Sequence, residues 1–150
     1  MKEIVKLRGM VFIIIIILFF FPFFDVKCNN QKMYEFTGFK LATGGKTIEY
    51  GGEEQKTEPN KYASLVLILA LLSLIFSFIH NKISLIITSI FSIAGIASML
   101  LLYNDIRNKV APPDSLIALE ANFFFPFYAV LFLFFVYVIF SFFIITLKKI

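Results

Sequence analysis

The sequence predicts an all-α, polytopic membrane protein whose four transmembrane helices include a central antiparallel helix hairpin. Hydrophobic residues make up 59% of the chain and the mean hydropathy is +0.87, whereas soluble domains are about 45 to 50% apolar. Residues 63–103 form a mostly apolar run of about forty positions, enough for two spans of about 20 residues each. Only His80, Asn81 and Lys82 interrupt this run. Two spans with so short a connection must lie antiparallel and in contact.

We expect a single membrane domain, residues 1–150, with two outer loops. The predicted spans cover residues 9–24, 63–79, 83–103 and 123–147, and the predicted outer loops cover residues 25–62 and 104–122. The first apolar stretch would reach about 24 Å as a helix, which is short of a hydrocarbon core of about 30 Å. It therefore needs Leu7 to join it and Arg8 to snorkel to the interface.

A cleaved signal peptide, or a lipid anchor on Cys28, is the alternative for this first stretch. The residues after its apolar core offer no small-x-small cleavage site. A lipoprotein signal needs small neutral residues before the acylated cysteine, and this chain has Asp25 and Lys27 there. An uncleaved first span is therefore favoured.

The outer loops contain signals for small local structures. Residues 33–36 and 46–50 are β-prone, and the second piece lies between two glycine pairs, which predicts a short β-hairpin over the mouth of the bundle. In the second loop, Pro112 and Pro113 predict an extended elbow. Asp114 or Ser115 comes next and is predicted to cap the helix that follows. Residues 116–121 then predict a short interfacial helix before the last span.

Small and hydroxyl side chains recur at helical spacing in the second and third spans. Such residues let two helices approach closely and bond across their interface in lipid. The two stripes are predicted to face each other, and a hydroxyl-lined path for a small solute is the alternative use of them. Besides Ala63, the predicted helix-packing residues are Ala70, Ser73 and Ser77 in the second span and Ser84, Thr88, Ser92 and Gly95 in the third.

The distribution of charge predicts how the chain is threaded through the membrane. The N-terminus, the connection at residues 80–82 and the C-terminus carry a net charge of +5, whereas the outer loops together carry −1. Positive charge favours the cytoplasmic side, so both termini are predicted to be cytoplasmic and the pattern does not indicate a nucleic-acid site. This threading brings two phenylalanine clusters, residues 19–24 and 123–127, to one depth, where they either pack together or touch lipid.

Catalytic, metal and cofactor signals are absent or weak in this sequence. One cysteine and one histidine cannot form a Cys/His zinc site within one chain. Gly45, Lys46 and Thr47 end like a phosphate-binding loop, but the glycine that this motif needs five residues earlier is Lys40. His80 fits a helix cap better than a general base. We therefore expect no catalytic residue, no metal and no cofactor.

Two segments near the first outer loop resemble a pattern in small uncharacterised bacterial inner-membrane proteins with four predicted spans. They are residues 22–28, PFFDVKC, and residues 37–44, TGFKLATG. The resemblance implies a bacterial inner membrane and no assigned activity. It directs attention to Cys28, Thr37, Gly38 and Gly44 as outer-loop candidates.

The expected function is that of a non-enzymatic membrane accessory or scaffold. The four apolar runs contain no Asp, Glu, Lys, Arg or His, the side chains that proton relays and ion pathways place inside a bundle. The expected partners are membrane lipid and other membrane proteins or a second copy. A lipid-handling or small-solute transport protein, with a groove between the first and fourth spans, is the first alternative. An intramembrane enzyme that uses His80 with Ser84 is the second.

Overall fold

Apolar helices and short β-strands make up the described part of the chain. The computed structural model describes residues 2–28, 31–48, 54–79, 81–110 and 119–147. The helices are α1 (Lys2–Leu18), α2 (Gly38–Thr43), α3 (Lys61–Ser77), α4 (Lys82–Val110) and α5 (Phe125–Leu147). The strands are β1 (Pro22–Cys28), β2 (Gln31–Thr37), β3 (Gly45–Ile48), β4 (Glu54–Thr57) and β5 (Leu119–Phe123).

The prediction of four spans is supported only in part. By length and composition, two of the described helices could cross a membrane, Lys82–Val110 and Phe125–Thr146. The other two apolar helices, Leu7–Leu18 and Lys61–Ser77, are shorter than that test requires. The chain is therefore a mostly helical protein with two long apolar helices.

The first predicted span, residues 9–24, is wrong at its outer end. Helix α1 ends at Leu18, where the amides of Phe20 and Phe21 bond to carbonyls three residues back. Pro22 explains the break, because it has no N–H to continue the helix and disfavours a helical residue before it. The Phe- and Val-containing segment that follows becomes strand β1.

A three-stranded antiparallel sheet of order β2-β1-β5 lies beyond the ends of the helices. Residues 33–36 form a strand as predicted, but their partner is β1, whose register places Phe24 opposite Phe36. The predicted interfacial helix at 116–121 is wrong for residues 119–121, which form β5 and pair with β1. Tertiary pairing overrides the local helix preference there. Residues 112–118, which hold the predicted elbow and cap, lie outside the described residues.

A separate hairpin and a capped short helix complete the first outer loop. Strands β3 and β4 pair in antiparallel register from Gly45 with Thr57 to Ile48 with Glu54, so the loop does hold a β-hairpin. Helix α2 is tied to α3 where the Asn60 amide bonds to the Leu41 carbonyl at 2.7 Å. We call the sheet β2-β1-β5 together with α2 the outer platform.

The two phenylalanine clusters pack together beneath the outer platform. The rings of Phe23 and Phe127 lie 5.8 Å apart and those of Phe24 and Phe123 lie 5.7 Å apart. The Phe124 amide also donates to the Phe23 carbonyl at 2.8 Å. Aromatic pairs at such distances add about 0.5 to 1.5 kcal/mol beyond the area that they bury. The sheet is therefore packed against the start of α5.

The second and third predicted spans form the antiparallel pair α3 and α4. Asn60 caps α3 by accepting from the amides of Tyr62 and Ala63, and its Nδ2 donates to Asp105 Oδ2 at 2.7 Å. Asp105 also pairs with Lys109 at 2.9 Å. Helix α4 therefore extends to Val110, past its predicted end at residue 103. The contacts of Asp105 with Asn60 and Lys109 stabilise its polar last turns.

Replacement of Gly38 by Ala tests the fit between α2 and the aromatic layer. A Cβ at Gly38 would lie 2.5 Å from Cζ of the buried Phe23 ring. We expect the substitution to lower the free energy of unfolding by about 1 to 3 kcal/mol through overpacking. The unfolding midpoint in detergent micelles measures this loss.

Gly9→Ala is the matched control for that substitution. Its Cβ would lie 3.6 Å from the Phe78 ring, an ordinary contact, and alanine favours a helix over glycine by up to about 1 kcal/mol. Equal midpoints for Gly38→Ala and the wild-type protein would contradict the close contact.

Candidate functional site: a buried arginine cluster

The most unusual feature of the helix bundle is a buried arginine. Arg8 in α1 is only 3% exposed. Its Nε donates to the Tyr137 hydroxyl at 3.2 Å, and its Nη2 donates to Thr88 Oγ1 at 3.2 Å and to Ser84 Oγ at 3.4 Å. We call these four residues the Arg8 cluster. One side chain therefore joins α1 to both α4 and α5.

The three hydroxyl groups that accept from Arg8 form a connected network. Tyr137 Oη and Thr88 Oγ1 are 2.7 Å apart, and Thr88 Oγ1 donates to the Ser84 carbonyl at 2.9 Å. Ser84 Oγ donates to the carbonyl of Phe76 in α3. Each hydroxyl has one proton to give and two lone pairs to accept with, so all three can receive from the guanidinium. The network adds α3 to the helices that Arg8 connects.

No negative charge among the described residues pairs with Arg8. The ion pair found in this part of the chain is Asp105 with Lys109, at the other end of α4. A buried ion costs several kcal/mol to desolvate unless it is paired and hydrogen-bonded. Here the hydrogen-bond partners of Arg8 among the described residues are neutral hydroxyl groups. Their dipoles stabilise the guanidinium but do not cancel its positive charge.

Three further buried hydroxyls in the helices have no hydrogen-bond partner. They belong to Ser73 and Ser77 in α3 and to Ser141 in α5, and each residue is at most 1% exposed. Serines in helices commonly bond to the carbonyl four residues back, as Ser92 does at 2.8 Å. Ser141 follows Tyr137 by one helical turn, on the same face of α5. One of these unpartnered hydroxyls therefore lies next to the Arg8 cluster along α5.

The predicted helix-packing residues are all buried. Ala70, Ser73 and Ser77 lie buried in α3, and Ser84, Thr88, Ser92 and Gly95 lie buried in α4. The two stripes do not simply face each other, however. Thr88 bonds to Tyr137 in α5, and a Cβ at Gly95 would lie 3.0 Å from the Phe134 ring in α5. Helix α4 packs against both α3 and α5, so its small residues serve two interfaces.

The outer-loop candidates have structural positions in the outer platform. Thr37 caps α2, because its Oγ1 accepts from the Lys40 amide at 3.2 Å. Gly38 lies against Phe23. Gly44 ends α2 with a φ of 73° and donates its amide to the Lys40 carbonyl at 2.9 Å.

The remaining candidates fall at the edge of the described structure or outside it. Cys28 is the last residue of β1, and the position of its side chain is outside the described part. His80 also lies outside the described residues. Gly45, Lys46 and Thr47 belong to strand β3, which is not the loop before a helix that phosphate-binding motifs require.

A second buried charge lies in the outer platform. Asp25 on the central strand β1 is 2% exposed, and its Oδ1 has no hydrogen-bond partner. Its neighbours across the sheet are Glu35 on β2 and Asn122 on β5. Within the described ranges, no three His, Cys, Asp or Glu side chains lie close enough to hold a metal ion.

Sequence reasoning missed the Arg8 cluster because it expected the Arg8 side chain to extend into solvent at the interface. A basic residue just before an apolar run is typical of a snorkelling side chain, but Arg8 is buried among the helices. Two signals pointed the other way. Tyr137 carries a hydroxyl group in the middle of the last apolar run, and Thr88 lies one helical turn after Ser84. Neither signal identifies an arginine partner without the packing of the helices.

Comparison with known proteins adds no further constraint. No family model, no curated protein and no solved structure matches this chain. The resemblance of residues 22–28 and 37–44 to bacterial four-span proteins therefore stays a prediction.

Replacement of Tyr137 by Phe tests whether the Arg8 cluster stabilises the bundle. The change removes one acceptor from a buried guanidinium and one partner from Thr88. We expect a loss of about 1 to 3 kcal/mol in the free energy of unfolding, measured by denaturant titration in micelles.

Tyr128→Phe in the same helix is the control, because Tyr128 is 50% exposed. Its effect should stay within about 0.5 kcal/mol. Equal losses for the two variants would show that the buried hydroxyl of Tyr137 contributes no more to stability than the exposed hydroxyl of Tyr128.

Proposed function

We propose that this chain is an integral-membrane protein whose helices α1, α3, α4 and α5 all cross the bilayer of a bacterial inner membrane. The support is the surface of the helices, which carries large apolar side chains on all four. Soluble monomers rarely expose contiguous apolar patches of more than a few hundred Å². Exposed examples at seven-residue spacing are Met10 and Ile17, Ile68 and Ile75, Ile86 and Ile93, and Phe132 and Ile139.

Helix α3 has 17 residues, which corresponds to about 25 Å at about 1.5 Å per residue and is the lower limit for a membrane-spanning helix. The apolar part of α1, Leu7–Leu18, is shorter. It reaches about 18 Å and needs a locally thinned bilayer to cross. Helix α4 begins with Lys82 at one end of the bundle, whereas the opposite end bears the outer platform. Positive charge favours placing Lys82 and both termini in the cytoplasm.

Cysteine labelling tests this threading. In a Cys28→Ala background, Glu120→Cys in β5 and Lys82→Cys at the start of α4 are compared in intact spheroplasts with a membrane-impermeant maleimide. We expect Glu120→Cys to react at once and Lys82→Cys to react only after the membrane is opened. Arg107→Cys, at the outer end of α4, is the positive control. Reaction of the Lys82→Cys protein in intact cells would refute the threading.

We infer that the protein acts as a membrane accessory or scaffold and not as an enzyme. The observation that carries this proposal is the outer platform, which three separate chain segments build and aromatic rings fasten to α5. Long loops that fold into a defined surface are commonly binding surfaces. The platform presents exposed Glu35, Glu120 and Asn122, and it lies where another membrane protein, or a second copy, could contact it.

Site-specific photo-crosslinking in living cells tests the scaffold proposal. A photoreactive amino acid replaces Glu120 on β5 or, as the control, Asn108 in the last turn of α4; both residues are exposed. We expect position 120 to give a discrete adduct with a membrane protein or with a differently tagged second copy. Glu35→Lys, which reverses a charge on the same sheet, should reduce that adduct because charge complementarity guides docking.

Two results would contradict the scaffold proposal. One is the same diffuse adduct pattern at positions 120 and 108, which indicates random collisions. The other is a protein that stays monomeric and without adducts at both positions.

A further inference from the structure

We propose that the Arg8 cluster is a binding site for a phosphate group, in the first place that of a phospholipid in the cytoplasmic leaflet. This inference rests on the proposed membrane insertion but not on the scaffold role. The site is built around a buried cation, and it is distinct from the outer platform at the other end of the bundle.

The charge of Arg8 is the first reason for an anionic ligand. The side chain is 3% exposed and its described partners are the neutral oxygens of Ser84, Thr88 and Tyr137. Hydroxyls orient their dipoles toward a guanidinium but do not neutralise it. An anion in contact with the cluster would recover electrostatic energy that the described residues leave unused.

The free bonding capacity around Arg8 is the second reason. The three bonds of Arg8 use Nε and Nη2, and Nη1 takes part in none of them. The buried hydroxyl of Ser141, one helical turn after Tyr137 in α5, has no partner. A phosphate accepts several hydrogen bonds at once, and a guanidinium presents parallel N–H groups that match two of its oxygens.

The depth of the cluster is the third reason, because it corresponds to a lipid headgroup. Gly9, next to Arg8, lies beside the Phe78 ring just after α3 ends. Ser84 is in the first turn of α4, which begins at Lys82. Arg8 is therefore about one or two helical turns from the cytoplasmic end in the proposed threading. Basic pockets between helices on that side are typical sites for lipid phosphates.

Native mass spectrometry of the full-length protein in detergent tests this proposal with three probes. They are phosphatidylglycerol, a diacylglycerol with the same acyl chains and inorganic phosphate. We expect phosphatidylglycerol to bind at least about tenfold more tightly than diacylglycerol, because charge-assisted bonds are worth about that factor or more. Competition by millimolar inorganic phosphate would identify free phosphate as a ligand of the same site, and its absence would assign the phosphate to lipid; both support the phosphate site.

Variants identify the site. Arg8→Gln should weaken phosphatidylglycerol binding at least about tenfold, and Ser141→Ala should weaken it less. Arg107→Gln is the matched control, because Arg107 is exposed near the far end of α4, and it should bind like the wild-type protein. If Arg8→Gln does not fold, Arg8→Lys replaces it, and we expect reduced binding because an ammonium group lacks the two-pronged geometry.

Two results would overturn the phosphate site. The first is equal affinity for phosphatidylglycerol and diacylglycerol, which would indicate annular lipid only. The second is wild-type binding by a folded Arg8→Gln or Arg8→Lys variant. Neither result depends on the crosslinks at position 120, so failure here and failure of the scaffold role can be told apart.

Discussion

The burial of one positive charge constrains the whole helix bundle. Arg8 can leave water only if α4 and α5 bring hydroxyls to it, and these are Ser84, Thr88 and Tyr137. Dispersion forces between apolar helices in lipid are weakly directional, so they do not by themselves fix rotation or register. The guanidinium does, because its N–H groups point in fixed directions in one plane. The cluster thus specifies one arrangement of α1 against α4 and α5.

The opposite end of the bundle is held by a different kind of contact. There the rings of Phe23, Phe24, Phe123 and Phe127 form a layer between the outer platform and α5. Strand β1 connects the helix that carries Arg8 with the aromatic layer, because it is the next element after α1 and pairs with β2 and β5. A small sheet on its own is only marginally stable. Aromatic packing and the paired backbone make it a fixed surface, as the proposed scaffold role requires.

Buried hydroxyl residues in the helices fall into three groups by their hydrogen bonds. Ser92 and Ser98 bond to carbonyls of their own helix and act as small residues that permit close packing. Ser84 and Thr88 bond beyond their own helix. Ser73, Ser77 and Ser141 do neither, although an unsatisfied buried hydroxyl costs free energy. All three groups lie in apolar helices at buried positions, so the sequence alone does not reveal which serine belongs to a site.

Composition and hydrophobic run length determined that the protein is mostly helical, that α3 and α4 form a hairpin and that α4 and α5 are long and apolar. These properties are local, because each depends on the residues of one segment. The sequence also indicated β structure in the first outer loop. It did not reveal that β1 begins at Pro22 or that residues 119–121 leave a helix-favouring context for the sheet. The pairing of β5 with β1 and the partners of Arg8 depend on residues more than 75 positions apart in the chain. Only the tertiary structure decided them, because a hydrogen bond between distant segments exists only once the helices have packed.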